Sequence, residues 1–221
     1  MGRRRRTAGT GRERRVIDMA FFITAFTTMF VVIDPFGTTP IFVALTQGMD
    51  AATRRKIAIR SCLTAVCILI AFAAFGEAVL GFVGISMPAF KVAGGALLFL
   101  TALDMLFDRR TKRREDRAEE EDHSDPSVFP LAIPLIAGPG SIATIILLAG
   151  QNPGIQGIAA ACAVMLGVML VVFVFFLAGG MIARILGKTG LNVLTRLLGM
   201  LLAALSVQFI LDGLKAFGFA S

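Results

Sequence analysis

Long apolar runs separated by short polar interruptions dominate the 221-residue chain. Six such segments stand out, at about 17–47, 57–81, 87–107, 129–150, 156–183 and 191–217. Each is long enough to cross a hydrocarbon core as a tilted helix. The first contains a polar, helix-breaking heptad near its middle, Asp34-Pro35-Phe36-Gly37-Thr38-Thr39-Pro40. An unbroken helix from Val16 to Thr53 would be about 57 Å long at 1.5 Å per residue, far more than a bilayer core needs. Two prolines, a glycine and a carboxylate at that depth must face protein or a water-filled cavity. The fourth segment has a similar interruption, Gly138-Pro139-Gly140-Ser141, preceded by Pro130 and Pro134.

Both interruptions carry the chemistry of a helix start. Asp34 followed by Pro35 fits an N-cap and first helical position, because a carboxylate accepts unpaired N–H groups and proline has none to leave unpaired. Gly138 followed by Pro139 fits the same pattern with a weaker cap. Two half-helices, about 35–47 and 139–150, are therefore expected to begin near the bilayer midplane. Their N-terminal dipoles would favour a negative or polar group between them.

The two halves superpose at a fixed offset of 104 residues. Pro35 falls on Pro139, Phe72 on Phe176, Gly76 on Gly180, and Gly95 on Gly199. Matches among Leu, Ala and Val are cheap in apolar sequence, but Pro on Pro and Gly on Gly at one offset are less so. Each half holds three spans, an odd number, so the second half enters the membrane from the opposite face. The expected fold is an all-α membrane protein of six transmembrane helices, arranged as two inverted three-helix repeats with helices 1 and 4 broken near the midplane. Residues 19–107 form the first repeat and 129–221 the second. A single kink needs no ligand, since Pro and Gly are common in membrane helices. Two breaks at matched positions of a repeat argue for more.

Composition agrees with this class: hydrophobic residues make up 56% of the chain and mean hydropathy is +0.80. The net charge of +7 is segregated into tails and loops, so it speaks first to topology. Loops carrying Arg54, Arg55, Lys56, the basic block of 108–128, Arg184 and Lys188 share one side, which the positive-inside rule makes cytoplasmic. Both termini then lie outside. The arginine-rich stretch 1–18 opposes that orientation, and a translation start at Met19 would remove the conflict. The 108–128 segment mixes basic and acidic runs and reads as a solvated cytoplasmic loop. Cys62, Cys67 and Cys162 sit inside apolar segments without ligand spacing, so no metal or cofactor is expected. The spans lack histidine and show no catalytic grouping, which argues against an enzyme. Glu77 and Lys91 flank one short loop and are expected to pair. Gly94, Gly95, Gly179, Gly180 and Gly199 are expected to permit close helix approach.

The stretches DPFGTTPIF at 34–42 and PLAIPLIAGPGSIATII at 130–146 resemble the MarC family (UPF0056) of bacterial integral membrane proteins. The likeness runs from about Met19 to the C-terminus; the arginine-rich start departs from it. It implies a bacterial cytoplasmic (inner) membrane location and a scaffold similar to that of LysE-type exporters. The residues themselves suggest a transporter of a small polar or anionic solute, with the lipid bilayer as its other partner. Asp34, Pro35, Gly37, Thr38 and Thr39 would line the site from one side, and Gly138, Pro139, Gly140 and Ser141 from the other. A non-transporting structural or regulatory membrane protein is the alternative. No nucleic-acid partner is expected, and six spans are few enough that a homodimer stays open.

Overall fold

A computed structural model describes residues 19–107, 126–152 and 154–219, all in helices or short turns. The arginine-rich tail and the charged 108–125 stretch lie outside these residues. The elements are α1 (Met19–Ile33), α2 (Pro35–Leu45), α3 (Ala51–Val83) and α4 (Met87–Leu106), then α5 (Ser127–Ile136) and α6 (Pro139–Gln151). A final helical run is split at Gly187 (φ 61, ψ 175) into α7 (Ile155–Ile182) and α8 (Thr189–Ala216). Five spans are long and apolar enough to cross a membrane, and six when the bent pair α5–α6 is taken as one.

Local chemistry sets the ends. Asp50 opens α3 by accepting from the N–H groups of Ala52 and Thr53 at 3.1 and 3.2 Å. Bonds from the Thr53 side chain and backbone hold its carboxyl below the usual carboxylate range. Gly84 closes α3 in the left-handed region (φ 82), where only glycine fits without cost. Ser86 then caps α4 through Ala89 N–H at 3.3 Å.

One helical piece is irregular, with two residues out of helical conformation. Pro130 and Pro134 lack the N–H a helix needs and push the residues before them into extended backbone. Phe129 (φ −128, ψ 127) and Ile133 (φ −125, ψ 126) are accordingly extended, and both following X–Pro bonds are cis. The remaining bonds span five residues, as in Ala137 N–H to Ala132 O at 2.8 Å. α5 is thus a wide helical turn interrupted before each proline, bent 57° from α6.

Burial identifies the centre. From Ala143 to Ala149 every residue of α6 is buried, so this helix is surrounded by protein on all sides. Around it lie α1, α3, α4 and the α7–α8 run. The outer faces of α3 and α7 expose Leu63, Phe75 and Phe82, and Leu170, Val174 and Met181. Such continuous apolar surface suits lipid rather than water. Glycines let the inner helices close up. A Cβ on Gly95 would sit 2.7 Å from Ile210 Cγ1 and 2.8 Å from the Ser206 carbonyl, and one on Gly199 would sit 2.9 Å from Met105 Cβ. Gly94 and Gly179 are similarly close to α6 and α2, whereas Gly180 faces open space. Glu77 lies on the exposed face of α3, and the expected ion pair with Lys91 is absent among the described residues.

Candidate functional site: two helix starts in the protein interior

The first helix start is built on Asp34, the one described non-glycine residue with positive φ (57°, ψ 72°). Its backbone N–H still donates to Phe30 O at 2.9 Å, completing α1, while its own carbonyl accepts from Thr38 N at 3.0 Å and begins α2. The side-chain Oδ1 accepts from Gly37 N–H at 3.0 Å. A usual N-cap is extended; here the left-handed turn lets one residue end a helix and start the next. Aspartate tolerates that conformation better than most residues, because its short polar side chain bonds locally. Pro35 follows at the first helical position, as expected.

Thr38 and Thr39 are buried, and their hydroxyl protons are already committed. Thr38 Oγ1 donates to Asp34 O at 3.0 Å, and Thr39 Oγ1 donates to Pro35 O at 2.6 Å. Each hydroxyl oxygen keeps lone pairs and serves a ligand as acceptor rather than donor. Pro40, inside α2, has no N–H for the Phe36 carbonyl one turn earlier.

The second start is Gly138 (φ −88, ψ 174), with Pro139 at the first helical position and no side-chain cap. Ile142 N–H closes the first helical bond to Gly138 O at 2.9 Å. The N–H groups of Gly140 and Ser141 therefore lead α6, with Ser141 buried and Pro139 exposed. Gly138 proves to be glycine because of its own chain: a Cβ would run into the Pro134 carbonyl. That close approach follows from the interrupted, wide helical turn of α5, which the apolar pattern does not reveal.

The two starts are neighbours. A Cβ on Gly140 would lie 3.2 Å from Val32 Cγ1, two residues before Asp34. Thr101 of α4 borders the same spot, 3.8 Å from that position, and its hydroxyl donates to Leu97 O at 2.9 Å. Thr144, fully buried, donates to Gly140 O at 2.8 Å. Neither threonine is singled out by the sequence patterns, although Thr144 lies 104 residues after Pro40. Phe36 adds an aromatic wall, edge-on to Phe175 at 4.9 Å and to Phe30 at 6.1 Å. A cavity of 610 Å³ lies at the far end of α2, lined by residues that include Pro40, Ala44, Arg54 and Leu191.

The sequence matches the MarC family integral membrane proteins over residues 19–217. It is 38% identical over 198 residues to a UPF0056 membrane protein of Aquifex aeolicus, covering 88% of this chain and 92% of that one. It is likewise 38% identical over 200 residues to the UPF0056 membrane protein YvbG of Bacillus subtilis, covering 89% and 95%. The UPF0056 inner membrane protein YhgN of Escherichia coli K12 is 32% identical over 196 residues, covering 87% and 95%. No solved structure matches. With the six apolar segments and both proline motifs inside the matched region, the chain belongs to the MarC family (UPF0056) of integral membrane proteins.

Proposed function

We propose that this protein is a small secondary transporter that binds a small polar or anionic solute between the starts of α2 and α6 and moves it by alternating access. The observation that carries this reading is the pair of neighbouring helix starts, 104 residues apart in sequence, with Asp34, Gly138 and Ser141 buried and Gly140 beside Val32 at the end of α1. Helix N-termini inside a membrane favour polar and negative groups, and broken helices at repeat-related positions are a recurrent way to build such a site. Gly140 and Ser141 N–H groups serve as donors, the hydroxyl oxygens of Thr38 and Thr39 as acceptors, and Asp34 as cap and carrier of a coupling proton.

An inverted repeat underlies the proposal, and the packing supports it. Helix starts recur at the same offset, Pro35 with Pro139 and Ala51 with Ile155. Contacts also exchange between the halves. Phe42 of α2 stacks on Phe176 of α7 at 4.3 Å, and Ile146 of α6, 104 residues after Phe42, packs on Gly76 of α3, though these two contacts are not exchanged partners. Gly95 meets Ser206 and Ile210, and its counterpart Gly199 meets Ala102 and Leu106, which are their counterparts. A contact and its exchanged partner are what a two-fold relation produces. In this reading the basic loops near Arg54 and Arg184 face the cytoplasm, by the positive-inside rule, and both termini face the other side.

A panel of small polar and anionic solutes tested against purified protein in detergent is expected to contain at least one that raises the melting temperature. If none does, and the protein instead co-purifies with a stable partner, the non-transporting structural or regulatory reading replaces this one.

A further inference from the structure

The end of α2, the start of α3 and the start of α8 meet around the 610 Å³ cavity. Its walls are largely apolar, with Pro40, Val43 and Ala44 from α2 and Leu191 from the first turn of α8. Helix ends lie where a span leaves the hydrocarbon, so the cavity sits near the level of lipid headgroups, on the side of the basic loops. Arg54 is the charged residue among those that line it. It is half-buried, and no carboxylate pairs with it among the described residues. It also stands early in α3, at the end where the helix dipole disfavours a cation. Asp50, the nearest acid in sequence, already accepts from the N–H groups of Ala52 and Thr53. A half-buried guanidinium beside apolar walls is stabilised by an anion that brings apolar surface with it.

We propose that this cavity binds one anionic phospholipid from the surrounding bilayer, with the phosphate on Arg54 and the start of an acyl chain against Pro40, Val43, Ala44 and Leu191. A guanidinium holds phosphate by two parallel bonds, which suits a single arginine to the task. Gln47, exposed at the rim, adds an amide donor. Thr46 adds none, because its hydroxyl donates to Phe42 O at 2.8 Å. The volume is that of a ligand pocket and suits a phosphodiester head with the beginning of a chain. A whole two-chain lipid does not fit, so the tails leave past Ala44 and Met49, both exposed. Free phosphate would satisfy Arg54 and leave the apolar walls uncovered, which favours the lipid. Arg55 and Lys56 are exposed and outside the lining; they draw anionic lipid toward this end without holding it. Basic pockets between span ends are recurrent headgroup sites. The site requires no movement of a solute and stands apart from the transport reading.

The test is native mass spectrometry of the purified full-length protein titrated with phosphatidylglycerol, and separately with phosphatidylcholine. One phosphatidylglycerol is expected to bind about tenfold or more tighter than phosphatidylcholine, as a charge-assisted contact implies. Arg54→Gln is expected to remove about that factor, whereas Arg55→Gln, one residue along and exposed, changes binding less than about twofold. Ala44→Phe keeps Arg54 and fills the cavity from an exposed position, and is expected to weaken phosphatidylglycerol by a similar factor to Arg54→Gln. Equal losses in Arg54→Gln and Arg55→Gln overturn the proposal, because the charge of the loop rather than the cavity would then hold the lipid. Full binding by Ala44→Phe overturns it too, since the lipid would lie elsewhere. Displacement of the lipid by inorganic phosphate or glycerol phosphate at equal concentration would make a free anion the ligand and the apolar walls irrelevant. Melting curves of the variants in lipid-free detergent check that each is folded when it is titrated.

Discussion

Asp34→Val is expected to cost about 3 kcal/mol, against less than about 1 kcal/mol for Asp34→Asn, from the sum of a lost cap and a left-handed backbone. Valine removes the acceptor of Gly37 N–H and leaves that donor buried in the protein interior. It also places a β-branched side chain at φ 57, where crowding at Cβ is worst. Asparagine keeps a side-chain oxygen for the cap and tolerates this backbone. Asp34→Gly should fall between the two, since it relieves the backbone and loses only the side-chain bond. Melting curves of the three variants in one detergent check the order. A valine variant as stable as the asparagine one would mean that neither the cap nor the turn holds α1 and α2 in place.

The second large effect is Gly138→Ala, for which a loss of about 2–4 kcal/mol is expected from overpacking against backbone. The added methyl group meets the Pro134 carbonyl, and no rotamer change can move a backbone oxygen aside. Relief requires opening the 57° bend between α5 and α6, which would shift Gly140 off Val32. Gly180→Ala is the matched control. That position lies inside a helix with nothing within 4 Å, so alanine should be neutral or stabilising by up to about 1 kcal/mol. Thermal melts of both variants decide the matter, and equal melting temperatures would remove the close approach at Gly138 as a constraint.

Much of this architecture is legible in the chain before any coordinates. Six apolar segments bounded by charge or by Gly, Pro and Asn reproduce the observed spans, because span length in a bilayer is dictated by thickness. The Asp-Pro and Gly-Pro pairs mark both interior helix starts, since their chemistry is local and needs no tertiary context. What is not legible depends on geometry that a linear pattern does not carry. Ser127–Ile136 is as apolar as a helix, and only the spacing of Pro130 and Pro134 hints that the chain is extended before each. The threonines read as ligand hydroxyls, yet Thr38 and Thr39 spend their protons on carbonyls one turn back. Gly138 reads as room for a ligand and turns out to be room for Pro134.

On the transport reading the two helix starts form one solute site that moves its ligand, with Asp34 within it. Uptake of a stabilising solute into proteoliposomes tests it most directly, comparing the parent protein with the folded Asp34→Asn variant. Saturable uptake by the parent and none by the variant is the expected result. Undiminished uptake by Asp34→Asn would contradict it.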